Sequence, residues 1–220
     1  MIRFQLDGRV PSEKNMDIDR QCFSSVSSGE AAGFLRLYNW SEPALTLGYN
    51  QKDFVCADPE LVIGKYLRPT GGGTVLHSDD ITYCVAAPLD GTFGPDIVSS
   101  YAVVAELFAE ALLSCGIPVT LAAKKASFSH ICFDRSAEKE LVVDGIKVMG
   151  AAQKRSKGFF IQQGVIPLNV NYELVERVFG AEAKDKYRGL LEINPDFDLS
   201  RFVDRLRVVF EGRLGSAFAD

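Results

Sequence analysis

Three stretches of the chain hold residue types that do chemistry. "SHICFDR", Ser129 to Arg135, carries Cys132 beside His130, one of five cysteines and one of two histidines. A thiolate is a strong nucleophile, and a nearby positive charge raises the thiolate fraction by lowering the thiol pKa. Lys147 lies fifteen residues further on, too far for a contact along the chain. Asp144-Gly145 falls between them and supplies the positive φ angles of a tight primed turn, so the chain can double back. His130, two residues before Cys132, shares a face with it only in an extended segment and is the weaker choice for a base. By residue type alone a cysteine is most often a small buried packing residue.

The second stretch is "RPTGGGTVLH", Arg68 to His77. Three consecutive glycines, Gly71, Gly72 and Gly73, are costly to order because glycine loses the most freedom on folding. Either their backbone approaches a ligand, with Arg68 adding charge-assisted hydrogen bonds, or they form a tight turn between strands. The triplet is neither a dinucleotide fingerprint nor a phosphate loop. His77, next to Val75 and Leu76, reads more readily as a satisfied packing residue than as a catalyst. With two histidines in the chain, a multi-histidine metal site is not expected. The third stretch is "DGIKVMGAAQKR". Lys147 lies between Ile146 and Val148 and points either to solvent from an edge strand or inward. Inside, its charge persists only opposite a carbonyl, a carboxylate or a thiolate. Gly150 follows, where a backbone can come close.

These stretches need a scaffold. Apolar residues at helical spacing in "EKNMDIDRQCFSSV" predict an early helix. "GFLRLYNW" and "PALTLGYNQ" read as strands around Ser41-Glu42-Pro43, and "ITYCVAAPL" as a further strand. A helix from about Pro95 to Cys115 carries Ile97, Val98, Val104, Leu107, Phe108 and Leu112 on one face and stops at Gly116 and Pro118. "IPVTLAA", the Asp144-Gly145 hairpin and "GFFIQQGVIPLN" add strands, and "YELVERVFG" and "LSRFVDRLRVVFEGRLGSAF" close with helices. The order predicts an α+β fold with a mixed, largely antiparallel sheet flanked by helices. Cys22, Cys84 and Cys115 have packing roles in these elements, while Cys56 is undecided in a loop.

The 220 residues suffice for one large domain, and residues 1–220 read as a single catalytic domain without a C-terminal accessory domain. No apolar run of about 18 residues suggests a membrane span, and "MIRFQLDGRV" has no apolar signal region. A net charge of −5 disfavours a nucleic-acid partner. Cysteines that are odd in number, widely spaced and without a CxxC pair argue against a disulfide framework or structural zinc and for a cytoplasmic home.

"RLYNW…PALTLGYNQ", "LRPTGGGTVLH" and "GIKVMGAAQKR…IQQGVIPLN", in this order, resemble the lipoate–protein ligase and octanoyltransferase superfamily, which includes the biotin–protein ligase catalytic domain. The likeness runs from about Asn15 to Phe218. "CFDRSAEKELVVDGIKVMGAAQKR" looks most like the cysteine-dependent, ligase-like octanoyltransferases. The resemblance implies that Cys132 is the acyl-accepting nucleophile and that Lys147 contacts the acyl carbonyl. It implies that Arg68, Gly71, Gly72, Gly73 and His77 form the loop over the acyl group. Two departures stand out: Leu67 replaces the first of two arginines, and Gln163-Gly164 replaces a His-Gly pair.

The implied reaction moves an octanoyl or lipoyl group from an acyl carrier protein to a lysine of a lipoyl-domain or glycine-cleavage H-type protein. It passes through a Cys132 thioester and needs no cofactor. An ATP-dependent lipoate ligase, which would use ATP and magnesium, and a non-catalytic acyl- or lipoyl-domain-binding homologue are the alternatives. Tyr83, Phe128 and Phe133 are expected to line the acyl slot. Lys124, Lys125, Lys154, Arg155 and Lys157 either steer an acidic acceptor or are solvated loop charges.

Overall fold

The computed structural model describes residues 2–122 and 140–218. The elements run β1 (Arg3–Val10), α1 (Ser12–Ser27), β2 (Phe34–Trp40), β3 (Ala44–Leu47), β4 (Gly64–Leu67), β5 (Val75–His77), β6 (Asp79–Pro88) and α2 (Ile97–Ser114). They continue with β7 (Thr120–Leu121), β8 (Leu141–Val143), β9 (Ile146–Ser156), β10 (Phe159–Asn169), α3 (Tyr172–Phe179), a 3-10 turn (Ala181–Lys186), α4 (Leu190–Ile193) and α5 (Leu199–Leu214). The main sheet has seven strands in the order β1-β2-β6-β10-β9-β8-β7. Only β1 and β2 pair parallel in it; its other neighbours are antiparallel. A second sheet, β4-β3-β5, holds the glycine stretch between β4 and β5. This is the mixed, largely antiparallel α+β architecture that the element order predicts.

One face of the main sheet meets α2 and α5. Tyr83 of β6 stacks on Phe108 of α2 with centroids 4.2 Å apart, and Phe108 in turn meets Phe202 and Phe210 of α5. Asp96 caps α2 by accepting from Ser99 N, and Gly116, at φ +79°, ends it. Pro95 therefore lies just ahead of the helix. Ile97 and Val98 are exposed, because the first turn stands clear of the sheet. By length and composition α2 could cross a membrane, but half of it is buried in this core.

The other face of the sheet meets α1, and this changes the reading of β2. Arg36 and Tyr38, which alternation would turn outward, are fully buried. Arg36 donates to Asp7 and Asp19, 2.7 Å to each, and to Asn15. Its guanidinium lies 3.8 Å from the centre of the Tyr38 ring. α1 thus docks through a polar stripe (Ser12, Asn15, Asp19) beside Met16, Cys22 and Val26. Because a buried charge must be paired, this stripe fixes the helix as firmly as apolar packing would. β1 was not among the expected strands, although Phe4, Leu6 and Val10 alternate with Arg3, Gln5, Asp7 and Arg9; it is a half-exposed strand on the sheet edge.

Candidate active site

Asp144 and Gly145 take φ values of 51° and 78°, the turn that the dipeptide predicts. The turn sets Val142 opposite Lys147. Lys147 is buried, and its Nζ donates to Glu140 Oε1 at 2.6 Å. Of the two directions open to it, the side chain takes the inward one, and a carboxylate faces it. Glu140 was not among the expected site residues. Its position just ahead of β8, across the hairpin from Lys147, is the signal that could have found it.

Arg68 is also buried, and its fork is turned onto its own loop. It donates to Gly71 O (3.1 and 2.6 Å), to Gly73 O (2.6 Å) and to Thr46 O (2.9 Å). The planar guanidinium gathers carbonyls that would otherwise repel one another. Gly72 is needed for close approach. Gly72 has φ +91°, and a Cβ there would lie 2.9 Å from Arg68 Nη2. Gly48, after β3, lies so close that a Cβ would sit 2.2 Å from Gly72 O. The triplet therefore is a turn between strands and also a backbone folded around a cation. Leu67, where the superfamily carries an arginine, is partly exposed, and its carbonyl accepts from Arg20.

His77 lies on β5, stacked on Trp40 with centroids 4.1 Å apart. Its Nε2 is 2.9 Å from Thr46 Oγ1, and its Nδ1 is 3.3 Å from both Thr82 Oγ1 and Asp80 Oδ2. Both ring nitrogens are thus engaged.

These elements surround a slot. Arg68, His77 and Gly150 line it, together with Met16, Tyr38 and Gln163. Ala151 and Ala152 continue the β9 wall that Gly150 begins, and the space enclosed is about 20 Å³. Lys147 lies three residues before Gly150, at the start of β9, and is not among the residues that line the slot. Tyr83, expected to line the slot, instead faces the core, and its hydroxyl accepts from Gln162 Nε2. Gln163 accepts from Thr70 Oγ1 at 2.9 Å and donates to Asp19 Oδ2 at 2.5 Å. Cys132, His130, Phe128, Phe133, Lys124 and Lys125 lie outside the described residues.

The remaining cysteines differ in their surroundings. Cys22, Cys84 and Cys115 are buried, in the packing roles expected for them, and Cys56 is half-buried. Burial, reinforced by the Asp19 charge, pushes the Cys22 thiol up to about 12 and raises Cys84 well above its ordinary value.

The sequence from residue 11 to residue 202 matches the family model described as the lipoyl protein ligase A/B catalytic domain. The chain belongs to this family. Among curated members, the octanoyltransferase LipM of Geobacillus kaustophilus is 34% identical over 191 residues, covering 80% of this chain and 69% of that protein. The LipM octanoyltransferase of an Exiguobacterium species is 30% identical over 230 residues, covering 95% and 83%. Solved structures share the fold. Lipoate-protein ligase A bound with ATP superposes with a TM-score of 0.76 at 20% identity, over 99% of this chain and 87% of that one. Protein Ta0514 from T. acidophilum with bound lipoic acid gives 0.78 at 19%, over 100% and 88%. The lipoyl protein ligase fold therefore holds the slot, the glycine loop and the Lys147 strand in one place.

Proposed function

We propose that this chain is an octanoyltransferase that moves an octanoyl group from a carrier-protein thioester to a lysine of a lipoyl-domain protein through Cys132. The observation that carries this reading is its likeness, over 80% and 95% of its length, to relatives named octanoyltransferases. The wall of small residues from Gly150 to Ala152, on the same strand as Lys147, supports it.

In the first step the Cys132 thiolate attacks the donor carbonyl. A new C–S bond forms, the carrier's C–S bond breaks, and the carrier leaves as a thiolate that takes up a proton. In the second step the acceptor lysine amine attacks the acyl-Cys132 carbonyl. The C–N bond forms, the amine loses a proton, and Cys132 leaves as thiolate. One thioester replaces another and then yields an amide, so no ATP is called for. Two easy steps replace one hard one, as in covalent catalysis generally. Lys147 supplies positive charge where the carbonyl oxygen becomes an oxyanion, an effect worth about 3–4 kcal/mol in well-made sites. The donor is an acyl carrier protein, and the acceptor is a lipoyl-domain or H-type protein.

Intact-mass measurement after mixing the protein with octanoyl-acyl carrier protein, with and without ATP, tests the reading. The expected result is one octanoyl adduct without ATP, absent from Cys132→Ser. An adduct or transfer that requires ATP and survives Cys132→Ser would assign a ligase instead. Binding of a lipoyl domain with no adduct under either condition would assign a non-catalytic binder.

A further inference from the structure

Gln163 stands where three elements meet. Its backbone belongs to β10, opposite Cys84 of β6 and Ala152 of β9, and its side chain lines the slot. The amide spans α1 and the glycine loop, with Nε2 on Asp19 and Oε1 on Thr70. Chemistry fixes which end faces which partner. The Asp19 carboxylate already accepts from Arg36 Nη1 at 2.7 Å and from Tyr38 OH at 2.8 Å. A further partner must be a donor, so the amide NH2 turns to Asp19 and the amide oxygen is left for the Thr70 hydroxyl.

Thr70 immediately precedes Gly71, and its own carbonyl accepts from Tyr49 N at 3.0 Å. Arg68 holds the loop further on, through Gly71 O and Gly73 O. The loop abuts the slot wall: a Cβ on Gly72 would lie 3.5 Å from Ala152 Cβ. Thr70 is therefore one point at which the loop is tied to the rest of the site, beside Thr74, which Gln51 holds, and Gln163 is the side chain that ties it there.

We propose that Gln163 is a positioning residue: by joining Thr70 to the buried Asp19–Arg36 pair, it sets where the glycine loop stands against the acyl slot. The kinetic consequence rests on the octanoyl-transfer reading above; the structural one does not.

The test compares the full chain with Thr70→Val, Thr70→Ser and Gln163→Leu. Amide hydrogen exchange is followed by mass spectrometry, and octanoyl adduct formation is followed with octanoyl-acyl carrier protein as donor. Loss of one buried hydrogen bond should raise exchange at Gly71–Thr74 about tenfold in Thr70→Val and in Gln163→Leu. Exchange in β6 and β10 should stay unchanged, and Thr70→Ser should restore the loop. Donor KM should rise by a similar factor, with the maximal rate less affected. Loop exchange in Thr70→Val equal to wild type would overturn the proposal, and this variant decides the matter if Gln163→Leu fails to fold. If wild type takes up no octanoyl group, the function reading fails while the exchange comparison still decides the role of Gln163.

Discussion

Lys147 Nζ lies 2.6 Å from Glu140 Oε1, and both side chains are only 4% exposed. They are seven residues apart and meet because the Asp144-Gly145 turn folds β8 against β9. Removing one partner of such a pair takes away a buried charge-assisted hydrogen bond, which typically costs about 1.5–3 kcal/mol. Glu140→Ala should therefore lower stability in urea unfolding by about that amount. The double variant Glu140→Ala, Lys147→Met should lose less than Glu140→Ala and Lys147→Met lose together. Equal and additive single losses would mean that the two groups do not interact.

The cysteines should separate by reactivity. Only the thiolate reacts with iodoacetamide, and burial keeps the Cys22 and Cys84 thiols protonated far above neutral pH. The folded protein at pH 7.5 should take up label at Cys132 first, then slowly at the half-buried Cys56. Cys22 and Cys84 should label only after denaturation. Peptide mapping reads the order, and Cys132 labelling no faster than Cys56 would count against an activated thiol.

Charge reversal on the β9–β10 hairpin tests acceptor steering. Lys154 Nζ lies 5.8 Å from the centre of the Tyr49 ring, and Arg155 Nη2 donates to Pro95 O. Lys154→Glu with Arg155→Glu should slow transfer to an acidic acceptor at low salt, and the difference should vanish as salt screens it. An unchanged rate at low salt would mark these as solvated loop charges.

Gly48→Ala probes the loop from outside the slot. Its new Cβ would meet the backbone of Gly72 and Gly71 rather than a side chain that could swing away. Overpacking of this kind costs about 1–3 kcal/mol. The melting temperature should fall and adduct formation should slow together, because relief requires the glycine loop to move.

Elements with strong local signals were legible in the sequence. The long α2, the Asp-Gly hairpin and the strands Phe34–Trp40 and Phe159–Asn169 follow from periodicity and turn chemistry that act within a few residues. β1 was not read as a strand, although Phe4, Leu6 and Val10 alternate with Arg3, Gln5, Asp7 and Arg9; its parallel pairing with β2 is a tertiary fact. Alternation alone does not place Arg36 and Tyr38 inside; a strand covered on both faces can bury its polar residues wherever a helix such as α1 brings carboxylates to meet them. By type and resemblance the sequence offered Arg68, His77, Gly150 and Lys147; the first three line the slot, and Lys147 is buried on β9. Their surroundings were not legible: Glu140 against Lys147, and the chain Asp19–Gln163–Thr70, arise from contacts that only the folded chain brings about. A glycine triplet does not say which way its carbonyls face; Arg68, three residues upstream, decides that.

The two-residue turn at Asp144-Gly145 also acts as the index mark of the site. Side chains along a strand switch faces at every step, so the count of residues from turn to lysine decides what Nζ meets. One residue inserted there would hand the Glu140-facing place to Ile146 and leave the ammonium to intrude where an aliphatic side chain now packs. The placement of the positive charge thus depends on the length of a surface loop that touches no substrate, and a change in that length would be felt at the slot as a change of residue type.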